Sequence, residues 1–197
     1  MKLKKEFFAG ETLDVARNLL GCYLINGNCA GKIVETEAYL ENDSASHSFK
    51  GKTKRNGAMF GEPGTAYVYF TYGMHHCFNV VTNKKGIGEA VLIRALEPVK
   101  GINKMKLNRK KEDIKFLCSG PAKLVAALGI NKKHNGASLI NGKIKITEGE
   151  KPKEIVSTGR IGIKNNAHLH YRFYIKGNPF ISNGKPTFPA SACQQIC

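Results

Sequence analysis

The sequence predicts a mixed α/β fold. The stretch Ile33-Val34-Glu35-Thr36-Glu37-Ala38-Tyr39 is rich in β-branched residues and alternates as a strand does. Two further β-prone runs, 67–72 and 75–81, meet at Tyr72-Gly73 in the pattern of a hairpin. Helices are expected over Thr12–Gly21 and Cys118–Leu128. A length of 197 residues with 42% hydrophobic composition suits one domain with a sizeable core.

In the first helix Thr12 is a candidate N-cap, Leu13, Ala16, Leu19 and Leu20 share a face, and Gly21 is a stop. Cys22–Ile25, Asn26-Gly27 and Gly31–Leu40 read as a hairpin leading into the central strand. There Val34, Ala38 and Leu40 point into a core, while Glu35, Glu37 and Tyr39 share the opposite face. A carboxylate beside an aromatic ring in mid-strand suits a site. The alternative is a half-buried strand with solvated carboxylates.

Residues 41–66 are polar and irregular and bring Lys50, Lys52, Lys54 and Arg55 close together, with His47 among them. The segment is either a phosphate-contacting loop or a solvated one. The following hairpin would place Tyr72 at an exposed tip, where an aromatic suits insertion between bases. A cross-strand aromatic ladder inside the sheet is the alternative. Ala90–Pro98 is an apolar strand interrupted by Arg94 and ended by Pro98. Arg94 needs an anionic partner, either Glu37 or a phosphate. Lys100–Lys115 is a basic helix or surface segment, and Pro121 opens a helix whose free N–H groups and Lys123 suit a phosphate. Hairpin-like pieces are expected around Asn141-Gly142, and late strands over Gly159–Ile163 and Tyr171–Ile175.

A formal net charge of +16 points to a polyanionic partner. No apolar run is long enough to span a membrane and the N-terminus lacks a signal-peptide core, so a cytoplasmic, non-secreted protein is expected. The six cysteines are scattered without the paired spacing of a zinc site, so neither metal nor disulfide is expected. There is no GxxxxGK[ST] loop for an ATPase and no acid cluster for a metal-dependent nuclease. One general base acting on water against an extruded base requires only what is present.

Four motifs in order carry a resemblance to a known family: Val34-Glu35-Thr36-Glu37-Ala38-Tyr39, Tyr67-Val68-Tyr69 through Tyr72-Gly73-Met74, Leu92-Ile93-Arg94-Ala95-Leu96-Glu97-Pro98, and Leu117-Cys118-Ser119-Gly120-Pro121-Ala122-Lys123-Leu124. Together the sequence resembles the alkyladenine (3-methyladenine) DNA glycosylase family over nearly the whole chain to about Ser182. The resemblance implies an α+β fold, one domain over 1–197 around a curved antiparallel sheet, with a protruding hairpin, surrounding helices and a flexible tail over 183–197. It implies a monofunctional enzyme, without lyase activity, that flips 3-methyladenine, 7-methylguanine, hypoxanthine or ethenoadenine from duplex DNA and hydrolyses the N-glycosidic bond. By the same resemblance Glu37 activates the water, and Arg94 and the main-chain carbonyl of Ile161 help hold it. Tyr39, His47 and Tyr69 stack on the base, Asn79 discourages guanine at the pocket floor, and Tyr72 intercalates. Lys52, Lys54, Arg55, Met74 and Lys123 are candidates for the DNA backbone. No cofactor is implied. The expected partner is damaged double-stranded DNA, bound by a monomer that is nucleoid-associated if bacterial. The alternative is a non-catalytic module that recognises damaged DNA, which would have no need of Glu37 together with Arg94.

Overall fold

The computed structural model describes residues 1–71 and 73–182; Tyr72 and the expected tail at 183–197 lie outside the described residues. Within them, four helices span Lys5–Phe8 (α1), Thr12–Asn18 (α2), Ile102–Arg109 (α3) and Pro121–Ala127 (α4). Eight strands span Tyr23–Asn26 (β1), Cys29–Tyr39 (β2), Ala66–Thr71 (β3), His75–Val81 (β4), Ala90–Lys100 (β5), Ile144–Thr147 (β6), Ile155–Thr158 (β7) and Arg172–Ile175 (β8). They form one curved antiparallel sheet in the order β3-β4-β5-β2-β1-β6, with β8 joining β2 and β7 outside β8. None of the described helices is long and apolar enough to cross a membrane.

β2 is the spine of this sheet. β5 runs along one edge of it, while β1 and then β8 share the other. Thr36 donates its hydroxyl proton to the Ala16 carbonyl at 2.9 Å, which ties one face of β2 to α2. The main core lies on that side and joins α2 and α4 to the sheet through Val15, Leu19, Leu124, Phe78 and Phe173. A smaller cluster of Met59, Phe60, Tyr67, Val81 and Ala90 packs against Tyr39 and Tyr69.

Two opposed bulges shape the β2–β5 pair. Ile33 and Glu35 face consecutive β5 residues, Leu96 and Ala95, so Val34 is the extra residue of β2. Glu35 and Thr36 then face Ala95 and Ile93, so Arg94 is the extra residue of β5. Each insertion reverses the inward-outward alternation, and together they restore the register. This explains why Ile33 and Ala38, which simple alternation would put on opposite faces, both join the main core. Val34 and Ala38 are fully buried as expected, and Leu40 is half-buried.

Four local expectations need correction. Thr12 is the first residue of α2 and not its cap, because its hydroxyl is engaged by Thr82 at 2.7 Å and Glu89 at 2.5 Å. Pro98 does not end β5; the strand continues to Lys100 past an irregularity between the Gly31–Pro98 and Ala30–Lys100 pairs, the setting in which a strand accepts proline. The residues around Asn141-Gly142 make a turn rather than a hairpin, since β6 pairs with β1. The strand expected at Gly159–Ile163 is formed instead by Ile155–Thr158, and the following residues leave the sheet.

Candidate active site

β2 presents Glu35, Glu37 and Tyr39 beside Arg94, on the side away from α2. Both glutamates are wholly buried, so the solvated-carboxylate alternative fails. Glu37 has three neighbours among the described residues. The Ile161 N–H donates to Oε1 at 2.8 Å, Tyr39 Oη donates to Oε2 at 2.9 Å, and Arg94 Nη1 lies 3.2 Å from Oε2. A carboxylate offers about four acceptor positions, so one remains, on Oε1 beside Ile161. Arg94 spans the pair, with Nε on Glu35 Oε1 at 3.1 Å. Burial opposes its charge, but Glu37 and Glu35 outweigh this and hold the guanidinium above the ordinary arginine value. Of the two partners open to Arg94, the carboxylate is the one it meets.

Tyr39, Arg94 and Ile161 all line a cavity of about 350 Å³. The carboxylate thus lies behind three residues that face that cavity. The other walls include His47, Tyr67, Tyr69, Asn79, Cys77 and Met59. Asn79 stands opposite Tyr67 on the β3–β4 ladder and donates from Nδ2 to the Tyr67 carbonyl at 3.0 Å. The His47 ring meets Tyr69 edge-on with centroids 4.5 Å apart, and its Nδ1 is 2.9 Å from Tyr67 Oη.

The ring-bearing walls are uncharged at neutral pH. Burial, reinforced by Glu37, pushes the Tyr39 phenol well above its usual value, and burial pushes Tyr67 up to about 12. Tyr69 is raised chiefly by burial as well. His47, although exposed at its outer side, is held below the ordinary histidine value first by desolvation and then by the Arg55 charge. The result is a set of neutral π-faces around one charged guanidinium.

A family model described as Methylpurine-DNA glycosylase (MPG) matches residues 6–179. The chain belongs to this family. Relatives of this chain include a protein of Carboxydothermus hydrogenoformans that is 57% identical, with 92% of this chain and 99% of the relative covered. A Francisella tularensis protein is 54% identical over 87% of this chain and 94% of its own length. One from Methanoculleus marisnigri is 48% identical over 92% of this chain and 99% of its own length. All three carry the name "Putative 3-methyladenine DNA glycosylase".

Within this glycosylase fold, Glu37, Arg94, Ile161, Tyr39, His47, Tyr69 and Asn79 come together at one cavity or directly behind it. The backbone candidates lie apart from its floor. Lys52, Lys54, Arg55 and Met74 are exposed, with Arg55 donating to the Phe70 carbonyl at 3.2 Å and so tying the 41–66 loop to the hairpin. Lys123 is half-buried in the first turn of α4, next but one to Pro121 at the cavity wall.

Beside Glu35, already placed on the site face, five residues of the surrounding scaffold are not assigned to the site by the sequence: Arg172, Ser182, Arg160, Asp43 and Asn166. Glu35 also accepts from Arg172 Nε at 2.6 Å and from Ser182. Arg160 is wholly buried and pairs with Asp43, donates to the Ala38 carbonyl at 3.0 Å, and lies 4.7 Å from the Tyr39 ring centroid. Asn166 donates to Asp43 Oδ1 at 2.8 Å. Arg172 and Arg160 carry the same signal as Arg94, a lone arginine in a run expected as a strand. Asp43, Asn166 and Ser182 carry none.

Proposed function

We propose that this chain is a monofunctional DNA glycosylase that hydrolyses the N-glycosidic bond of alkylated or deaminated purines in duplex DNA. The observation that carries the proposal is the wholly buried Glu37, gripped by three residues that line an aromatic cavity. Its remaining acceptor position would take a proton from water, with the Ile161 carbonyl and Arg94 helping to hold that water. Arg94 pairs with the carboxylate at 3.2 Å, lines the cavity, and would also meet the negative charge of the flipped nucleotide.

The neutral walls support the choice of substrate. A cavity of about 350 Å³ is at the small end of ligand pockets and suits one extruded base. Tyr39, Tyr69 and His47 offer faces on which any purine stacks and to which a cationic alkylated purine is drawn. Such a base is already a good leaving group, so a base beneath the sugar is the main requirement. Asn79 at the wall would disfavour the exocyclic amine of guanine, and Tyr72 at the hairpin turn would fill the vacated stack. Lys52, Lys54, Arg55, Met74 and Lys123 would meet the DNA backbone. The enzyme would act as a single-domain monomer in the cytoplasm, on the nucleoid if bacterial.

The test is single-turnover release of base from duplexes carrying hypoxanthine or an alkylated purine, in the presence of chelator. Release of intact base with an uncut abasic strand, abolished in Glu37→Gln while lesion binding persists, is the expected result. Strand cutting by the protein itself, or a fully active Glu37→Gln, would overturn the proposal.

A further inference from the structure

The scheme above leaves unexplained a second buried carboxylate and the serine that closes over it. Glu35 Oε1 accepts from Arg94 Nε at 3.1 Å, Arg172 Nε at 2.6 Å and Ser182 Oγ at 2.8 Å; Oε2 accepts from the Ser182 N–H at 2.6 Å. The Ser182 hydroxyl also stands 3.4 Å from Arg94 Nη2 and can accept from it. One hydroxyl therefore bridges the guanidinium and the carboxylate that hold each other. Ser182 is 7% exposed and lies three residues past the end of the family-model match.

We propose that Glu35 and Ser182 form a bracket that fixes the Arg94 guanidinium between the two glutamates, and that both are positioning residues for the reaction. The proposal rests on the glycosylase reading and adds residues to it. An arginine on a bulge has no regular strand geometry to aim it, so its direction is set by its partners. Glu35 holds Nε and Ser182 holds Nη2, which leaves Nη1 for Glu37. Without the bracket the guanidinium can swing to face Glu37 with two nitrogens, the favoured arginine–carboxylate geometry. That arrangement would occupy the acceptor position needed for water.

The experiment measures the single-turnover rate of hypoxanthine release against enzyme concentration for the full chain, Ser182→Ala, Ser182→Thr and Glu35→Gln. Ser182→Ala should lower the maximal rate several-fold with half-saturation unchanged, and Ser182→Thr should restore it. Glu35→Gln should lower the maximal rate by about ten- to a hundredfold, the scale of a misplaced catalytic group, with half-saturation unchanged. Ser182→Ala keeps the test decisive if Glu35→Gln does not fold. A wild-type rate in Ser182→Ala, an equal loss of rate and affinity, failure of threonine to restore the rate, or a wild-type rate in folded Glu35→Gln would overturn the proposal. Wild-type protein that releases no base removes the glycosylase reading and the bracket with it, whereas active wild type with an unaffected Ser182→Ala removes the bracket alone.

Discussion

Replacing Asp43 by alanine strips the one carboxylate from a wholly buried arginine. Arg160 would keep the Ala38 carbonyl at 3.0 Å and the Asn166 carbonyl at 3.5 Å, while its Nε has no hydrogen-bond partner among the described residues even in the intact protein. The Ala45 N–H would also lose its acceptor, and Asn166 Nδ2 would lose one of its two, keeping the Ser44 hydroxyl at 3.2 Å. Removing one member of a buried ion pair typically costs about 3–5 kcal/mol. For a chain of this length each kcal/mol lowers Tm by roughly 2–4 °C, so a fall of about 6–20 °C is expected. The pH dependence checks the mechanism. Burial opposes ionisation of Asp43, but bonds from Arg160, Asn166 and the Ala45 N–H prevail and hold its carboxyl below the ordinary value of 3.8. A depressed folded value gives stability that is complete above the unfolded value and is lost as pH falls through the folded one. The Tm gap between wild type and Asp43→Ala should therefore be constant from neutrality to about pH 4 and narrow below it. Thermal melts across that range make the measurement. A gap smaller than about 3 °C at pH 7, or one that widens in acid, would refute the reasoning.

Other outcomes can be checked with the same protein. His47, neutral at pH 7, should gain a proton as pH falls from 6.5 through its lowered folded value, placing a cation at the cavity mouth. Half-saturation measurements should then show affinity for cationic 7-methylguanine duplex declining relative to neutral hypoxanthine duplex. A ratio independent of pH would contradict this, and His47→Gln should flatten it. Gly88→Ala would put a Cβ 2.5 Å from Ser48 Cβ and 2.6 Å from Phe60 Cζ, an overpacking that should cost about 1–3 kcal/mol. An unchanged denaturation midpoint would show that the loop yields freely. Duplex affinity should fall with salt by a log–log slope of about −0.9 per phosphate neutralised, and a flat dependence would exclude the basic loop from the interface.

The central strands and the cluster of candidate site residues are legible because each carries a local sign. Glu37 and Arg94 are charges inside apolar β runs, which burial tolerates only in pairs, and the turn at Gly73 is the left-handed position that glycine fills. The paired bulges were not legible. Alternation along one strand cannot reveal an insertion compensated on its neighbour, so simple alternation does not place Ile33 in the core that it joins. Asp43, Arg160 and Asn166 meet only through folding of two loops more than a hundred residues apart, and nothing near any of them in sequence announces the others. Thr12 misled because a threonine before a helical run reads as a cap wherever its hydroxyl is free, and here two distant residues hold it.

The carboxylate and the cavity walls differ in how they are attached to the molecule. Glu37 is on a strand bonded along both edges, to Leu92 on β5 and to Arg172 on β8. His47 is on a long irregular loop, and Ile161 follows the end of β7. Local opening events draw on weakly tied segments and leave doubly bonded strands for global unfolding. Amide protons around Glu37 should exchange with solvent only when the whole sheet opens, while those of the 41–66 loop exchange far sooner. The Glu37 carboxylate would then keep its setting through excursions that reshape the cavity wall on the loop, so the shape of the pocket and the position of the buried charge are anchored to different parts of the molecule.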